Sequence, residues 1–496
     1  MRLISIWIDN YKIYNDNEIV FSKSEEVNVI QSKLFSKLSI NTLVGSNGSG
    51  KSTIMGFIAS IFHNLERYHT RIESDFRLLY EIDVDEENVI VQLEKIGPNI
   101  FFKNTQDTNN KLLLEWEIKK KAPVRREYQR EYKYTCSYDE IRKYLPKNII
   151  VSCFEIDEMY PDKRTYNYVG DRIVKLHKVG ATTISTGYGL GITEGIIKLY
   201  SIFANNKIAR NKLENALDIK FSNRVKVLFE FIYFEDFIPQ YSDYDEEVMS
   251  QLFKKYSTHF NIYDFNEFTE FIFSEELWGE YIVGIEDDSA CYLDILSFIE
   301  ADPVNSEILL SLSKGKSTYI NEIYIEKWGK QLPFNKMSSG EKIFLYRMIS
   351  ILSHICSGSI VLLDEPEVHL NEKWSRQLVS VLSLLFSGFQ SHILVATHSH
   401  LFINNLFKEN VMLFENGSVR NPRVPIFLAS PHEIYRELNG DQIYQNISEN
   451  LVLEALGVGN KDELLQIYNE LGESVYKYLV FKMLKNENGD RNVENQ

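Results

Sequence analysis

Gly45-Ser46-Asn47-Gly48-Ser49-Gly50-Lys51-Ser52-Thr53 decides the reading of this chain. Gly45–Ser52 match G-x-x-x-x-G-K-[ST] at every fixed position. The short apolar run Asn41-Thr42-Leu43-Val44 precedes the loop. After it, Ile54, Phe57, Ile58, Ile61 and Phe62 recur at helical spacing as far as about Asn64. A glycine loop between strand and helix lets main-chain N–H groups turn inward around a phosphate, with the helix presenting its positive end. Lys51 brings a cation to the terminal phosphates and the Ser52 hydroxyl suits a magnesium ion. The expected ligands are therefore ATP and Mg²⁺.

Three further stretches extend the site. Ile360-Val361-Leu362-Leu363-Asp364-Glu365-Pro366 reads as an inner strand that ends in two acids. Asp364 there is placed to hold the metal, and Glu365 to orient or deprotonate a water molecule. Met337-Ser338-Ser339-Gly340-Glu341-Lys342 lies shortly before that strand. It reads as a capped helix start, and equally as an anion site offered to a phosphate on a second copy of the chain. Ala396-Thr397-His398-Ser399 ends the next buried run, His392 to Ala396, and places His398 for contact with a terminal phosphate or the water. A metal site built on His392, His398 and His400 is rejected, because no carboxylate or thiolate completes the set.

Outward from these motifs the chain alternates strongly. Leu3 to Ile8 and Ile19 to Phe21 read as strands, and residues 71–134 as a meander of strands. Asn148 to Ser152 is a buried strand, and a helix begins near Thr193. Residues 205–330 are rich in Phe, Tyr, Asp and Glu and read as mostly helical, with no sustained heptads. A helix is expected from about Gly340 to Ser357, another over Glu372 to Phe386, and amphipathic helices over Pro431 to Leu484. The polar tail from Lys485 reads as disordered. The expected class is α/β with a parallel sheet. Its expected divisions are 1–204 and 331–425 as two parts of one head, 205–330 as an insertion, and 426–496 as a helical appendage.

Composition bounds the function. The 496 residues carry a net charge of −16 and are 44% hydrophobic, enough for a large core but unsuited to default binding of nucleic acid. Any DNA contact has to come from a local patch. Lys119-Lys120-Lys121, Arg125, Arg126, Arg130 and Lys133, interleaved with Tyr128, Tyr132 and Tyr134, form one candidate, and read equally as a solvated hairpin. The acidic, aromatic stretches Phe229 to Phe237 and Glu270 to Asp288 suit a docking partner or a plain helical layer. Cys136, Cys153, Cys291 and Cys356 are scattered and read as reduced thiols. No leader or membrane-spanning run is visible, so a cytoplasmic location is expected.

The order of motifs resembles the ABC-type ATPase heads of the SMC/RecF branch, including the overcoming-lysogenization-defect group. Gly45–Ser52 looks like their Walker A, Ile360–Glu365 like their Walker B with its catalytic glutamate, and Met337–Lys342 like their signature loop. His398 looks like the switch histidine, and Glu367-Val368-His369-Leu370 like the D-loop. The opening Ile8-Asp9-Asn10-Tyr11-Lys12 is similar to the branch's N-F-[KR] start, which implies Lys12 near nucleotide. Ser339 stands where transporters have glycine, and Gln92 is one candidate for the Q-loop glutamine. The resemblance covers the two ends of the chain and leaves 65–330 unassigned. It implies an ABC-type head with mixed sheets, a largely helical insertion and a helical appendage. It further implies a homodimer of heads, extending to a higher oligomer, with Ser338, Ser339 and Gly340 serving the partner's nucleotide.

No D-x-D pair follows His398, so a built-in Toprim nuclease is not expected. The chain resembles the ATPase subunits of antiviral systems that work with a separate nuclease, most of all the Septu type with its HNH partner. A RecF-like DNA-repair clamp is the alternative.

Overall fold

The computed structural model describes residues 1–22, 29–65, 72, 74–97, 99–106, 111–119, 133–134, 142–153, 160–161, 175–178, 192–229, 245–287, 290–315, 318–368, 370–415, 418–439, 447–458, 460–472 and 475–490. The fold is mixed α/β. Contact density divides it into two compact units, Met1–Ile434 and Tyr435–Gln496.

Three sheets build the first unit among the described residues. The one that matters most orders its strands Lys175–Lys178, Asn148–Ser152, Ile360–Asp364, His392–Thr397, Ser39–Val44, Val411–Glu415 and Ser418–Arg420. All its neighbours are parallel except the last pair, which forms an antiparallel edge. The inner strands are continuous apolar runs, as strands covered on both faces require: Ile360 to Leu363 and His392 to Thr397 are buried throughout. Their register aligns the carboxyl ends. Asp364 pairs with Ala396, Thr397 with Val44, and Leu363 with Ser152.

The second sheet is an antiparallel meander. It runs Asn17–Val20, Arg2–Asp9, Asp75–Val84, Glu87–Ile96, Asn99–Gln106, Lys111–Lys119 and Lys133–Tyr134. Its apolar face and the helix Lys51–Leu65 share one core. Ile6, Ile8, Phe76, Leu78 and Phe102 meet Phe57, Ile58, Ile61 and Phe62 there. Aromatic contacts within it run edge to face, as for Phe57 with Phe76 and Phe62 with Tyr80. This packing fixes the helix that follows the glycine loop.

The third sheet lies in the stretch expected to be mostly helical. Helices Lys207–Leu217, Glu246–Phe260, Phe265–Ile272, Ile295–Ala301 and Pro303–Lys314 make up about half of the described residues there. A five-stranded antiparallel sheet runs through them, in the order Ile282–Asp287, Ala290–Asp294, Lys220–Phe229, Thr318–Lys327, Lys330–Pro333. Two hairpins, Ile282–Asp287 with Ala290–Asp294 and Thr318–Lys327 with Lys330–Pro333, are joined through the distant strand Lys220–Phe229, and irregular register interrupts its pairing. The helices are capped by acids: Asp245, Asp264, Asp294 and Asp302 each accept main-chain N–H groups of the helix they start.

The helices Ser339–His354, Glu372–Phe386 and Thr193–Asn205 lie close to their expected positions. The second unit is helical, with Ile447–Val458, Lys461–Glu470 and Val475–Asp490 around a small core of Ala455, Leu464, Val480 and Leu484. The last helix continues through Asp490, so the polar tail expected from Lys485 begins as helix. No helix among the described residues is long and apolar enough to cross a membrane.

Candidate functional site

The carboxyl ends of the parallel strands carry the site, as in other open α/β sheets. Strand Ser39–Val44 delivers the glycine loop, and Lys51 opens the helix Lys51–Leu65. Ser46, Asn47 and Gly48 form the exposed rim, while Ser49, Gly50 and Lys51 are buried. Gly50 has φ +103°, and a Cβ there would strike Ile13 and the Tyr14 hydroxyl. Glycine is therefore required at this position for both its backbone and its space.

Tyr14 explains the close approach. Its hydroxyl donates to the Gly50 carbonyl at 2.8 Å. Tyr11 and Tyr14 exchange main-chain hydrogen bonds of 2.9 and 2.8 Å, which closes a tight turn under the loop. Asn10 and Lys12 both take positive φ in this turn. Lys12 is exposed, with its ammonium 5.6 Å from the Tyr11 ring centroid.

The Lys51 ammonium donates to the carbonyls of Gly45 at 2.8 Å and Ser46 at 3.0 Å. Burial lowers its pKa, while Glu365, Asp364 and Glu367 pull the other way. Ser52, at the next position, donates its hydroxyl to Asp364 Oδ1 at 3.0 Å. Asp364 is held on its other oxygen by the Tyr160 hydroxyl, 3.1 Å from Oδ2. Burial raises the Asp364 pKa, and those two hydrogen bonds oppose the rise. A hydroxyl and a carboxylate thus converge as hard oxygen donors, the chemistry that a magnesium ion takes.

Glu365 follows with φ +44°, a left-handed conformation that a non-glycine residue adopts at a cost. Its N–H donates to the Ala396 carbonyl at 2.9 Å, so the neighbouring strand holds the strained residue in place. His398 Nδ1 lies 3.4 Å from Glu365 Oε1 and 4.0 Å from Glu367 Oε1. Arg347, buried on the helix Ser339–His354, feels the fields of Cys153, Glu367 and Asp364, and burial lowers its pKa to about 10.

Lys51, Ser52, Asp364, Glu365 and His398 are therefore brought together in one chain. Ser338 and Ser339 are exposed at the start of their own helix, and Gly340 is half-buried. Ser338 and Glu341 cap that helix reciprocally: the Ser338 N–H and hydroxyl donate to Glu341 Oε2 at 3.1 and 2.7 Å. Lys327 adds an ion pair to Glu341. Gln92 sits in the antiparallel sheet with its amide on Glu94 at 3.3 Å. His392 is fully buried away from His398, and its Nδ1 accepts from the Leu3 N–H at 2.8 Å.

Sequence reading missed Tyr160, which no motif flags, and the parts played by Tyr14, Arg347 and Glu367. Several expectations fall outside the described residues: Lys120 to Tyr132 of the basic stretch, 230–237 of the acidic one, and His369 of the D-loop-like segment. Lys119 and Lys133 are paired in register at the edge of the meander.

Residues 200–404 match the model of a family described as "AAA domain, putative AbiEii toxin, Type IV TA system". The match takes in less than half of the chain. It includes Ser338–Gly340, Asp364, Glu365 and His398, while the glycine loop lies before it. Among solved structures, the chain is similar to the Smc head domain of Pyrococcus furiosus, with an extended coiled coil and bound to the C-terminal domain of ScpA. That likeness has 12% identity and a TM-score of 0.35 over 88% of this chain and 99% of that one. The SMC head domain from Thermotoga maritima gives 12% identity and a TM-score of 0.30 over 86% and 99%. The matched AAA segment and the phosphate loop, brought together at one sheet end, support a nucleotide-binding ATPase.

Proposed function

We propose that this chain binds ATP with Mg²⁺ at Gly45–Thr53, hydrolyses it, and uses the nucleotide to control its association with a second copy and with a separate effector. The observation that carries the reading is the meeting of Ser52, Asp364, Glu365 and His398 at the aligned ends of three parallel strands. In this reading the loop N–H groups and Lys51 bind the β- and γ-phosphates. Ser52 and Asp364 hold the metal, which supplies neutralisation of charge on the phosphate oxygens. Glu365 orients the attacking water and accepts its proton, and His398 binds the γ-phosphate. Thr53 and Lys12 add contacts at the margin. Ser338, Ser339 and Gly340 serve the nucleotide of the second copy, for which the exposure of the two serines is suited. A γ-phosphate shared between two copies loosens them when it is lost.

The wider role we propose is that of the ATPase subunit of an antiphage system of the Septu kind, cytoplasmic, restraining a partner nuclease of HNH type. The words "putative AbiEii toxin, Type IV TA system" in the matched family's description support a place in a system with more than one component. Divisions near 204, 330 and 425 would then separate head, insertion and appendage.

The test is light-scattering mass with and without ATP·Mg²⁺, on wild type and Glu365→Gln, alone and with the product of the adjacent gene. Assembly with a nuclease supports the reading. A chain that dimerises only with ATP, recruits no partner, and binds DNA with a steep salt dependence lost on neutralising Lys119–Lys121 is instead a RecF-like clamp.

A further inference from the structure

The site holds a third carboxylate. Glu367 is 8% exposed, and its Oε1 accepts the hydroxyl of Thr397, the last residue of the strand His392–Thr397. Thr397 Oγ1 in turn accepts the N–H of Ser399 at 2.9 Å. Those two bonds bracket His398 on both sides. Glu367 Oε2 is buried with no hydrogen-bond partner among the described residues. An unsatisfied buried carboxylate oxygen costs free energy, so its presence wants a reason. Beside Glu367 stands the exposed imidazole of His398, whose Nδ1 is 4.0 Å from Oε1 and 3.4 Å from Glu365 Oε1.

From this geometry we propose that Glu367 is a positioning residue: it latches the Thr397–Ser399 turn and takes the His398 imidazole over from Glu365. The inference rests on the hydrolytic reading above. His398 lies between two carboxylates of opposite setting. Glu365 is half-exposed and strained, and is needed by water; Glu367 is buried and already anchored to the strand end. While His398 engages Glu365, one lone pair of that carboxylate is occupied. Rotating toward Glu367 frees it for water and brings the imidazole to Oε1 of the buried acid, beside the Thr397 hydroxyl. Thr397 sets the distance, because its hydroxyl ties Glu367 to the backbone that carries His398.

The experiment compares Glu367→Gln, Thr397→Val and Thr397→Ser for turnover and, separately, for equilibrium binding of a fluorescent ATP analogue. Thr397→Val keeps the volume of the buried side chain and removes only the latch. We expect kcat to fall about 10–100-fold in Glu367→Gln and Thr397→Val, the cost of misplacing a group by about 1 Å. Nucleotide affinity should stay within about 2-fold, and Thr397→Ser should restore turnover by returning the hydroxyl. Turnover within about 2-fold of wild type in both Glu367→Gln and Thr397→Val overturns the proposal, as does a loss of affinity that accounts for the whole defect. The ¹⁵N imidazole resonances of His398, assigned by their loss in His398→Gln, give a readout that needs no turnover. They should move in Thr397→Val and return in Thr397→Ser; unchanged resonances overturn the latch. A wild type that binds ATP but never hydrolyses it defeats the hydrolytic reading alone, and the resonances still decide the latch.

Discussion

At the scale of single residues, the site is built by close approaches that leave little room for substitution. Gly50 sits under Tyr14 with a positive φ, so Gly50→Ala is expected to abolish nucleotide binding, measured by titration with a fluorescent analogue. Tyr14→Phe is milder. It removes one buried hydrogen bond to the Gly50 carbonyl and should lower stability by about 1 kcal/mol in urea denaturation. Glu365→Gln keeps shape and removes the base. It should bind ATP as wild type does while turnover falls by about 100-fold or more. A variant that still turns over at the wild-type rate would remove Glu365 from the reaction. Asp364→Asn should weaken binding selectively when Mg²⁺ is present, since Ser52 and Asp364 offer the oxygen pair for the ion.

At the scale of elements, one buried histidine fastens two sheets. His392 opens the strand that leads to His398, and its Nδ1 accepts from Leu3 of the meander. Desolvation, with smaller contributions from the terminal amine and Arg2, lowers its pKa to about 3 from the ordinary 6.5. Its folded form is therefore neutral, and the unfolded chain binds a proton more readily. The stabilisation is complete above pH 6.5 and is lost as pH falls from 6.5 toward 3. Urea midpoints at pH 7 and pH 5 should separate in wild type and lie closer together in His392→Asn. Equal separation in the two proteins would assign the pH dependence to other groups. The helix Ser339–His354 works at the same scale. Its exposed first turn carries Ser338 and Ser339, while Arg347 lies buried in the fields of Asp364 and Glu367.

At the scale of the whole molecule, each unit is described by a core of its own. The core of Met1–Ile434 binds the meander to the helix after the glycine loop, so nucleotide binding should need this unit intact. Tyr435–Gln496 packs around Ala455, Leu464, Val480 and Leu484. Leu464→Ala should destabilise that unit by about 2–4 kcal/mol through the cavity it leaves. Nucleotide affinity should not change, as a fluorescent-analogue titration on the full chain would show. A parallel loss of affinity would mean that the two units do not behave separately.

The sequence alone determined the strand–loop–helix around Gly45–Ser52, the buried strands ending at Asp364 and Thr397, and the helices that precede and separate them. Those features depend on local rules: apolar runs for covered strands, helical spacing, glycine at a tight phosphate loop. Residues Lys51, Ser52, Asp364, Glu365 and His398 were legible for the same reason, because each sits at the end of an element with a readable period. Tertiary structure decided what local pattern does not encode. In the five-stranded sheet Lys220–Phe229 pairs with the distant Thr318–Lys327, and such a pairing carries no mark in sequence spacing. Tyr160 meets Asp364 across 204 positions, and Tyr14 meets Gly50 across 36. The Glu367–Thr397 bond forms because adjacent parallel strands bring their ends into register, and register is fixed only when the whole sheet is packed.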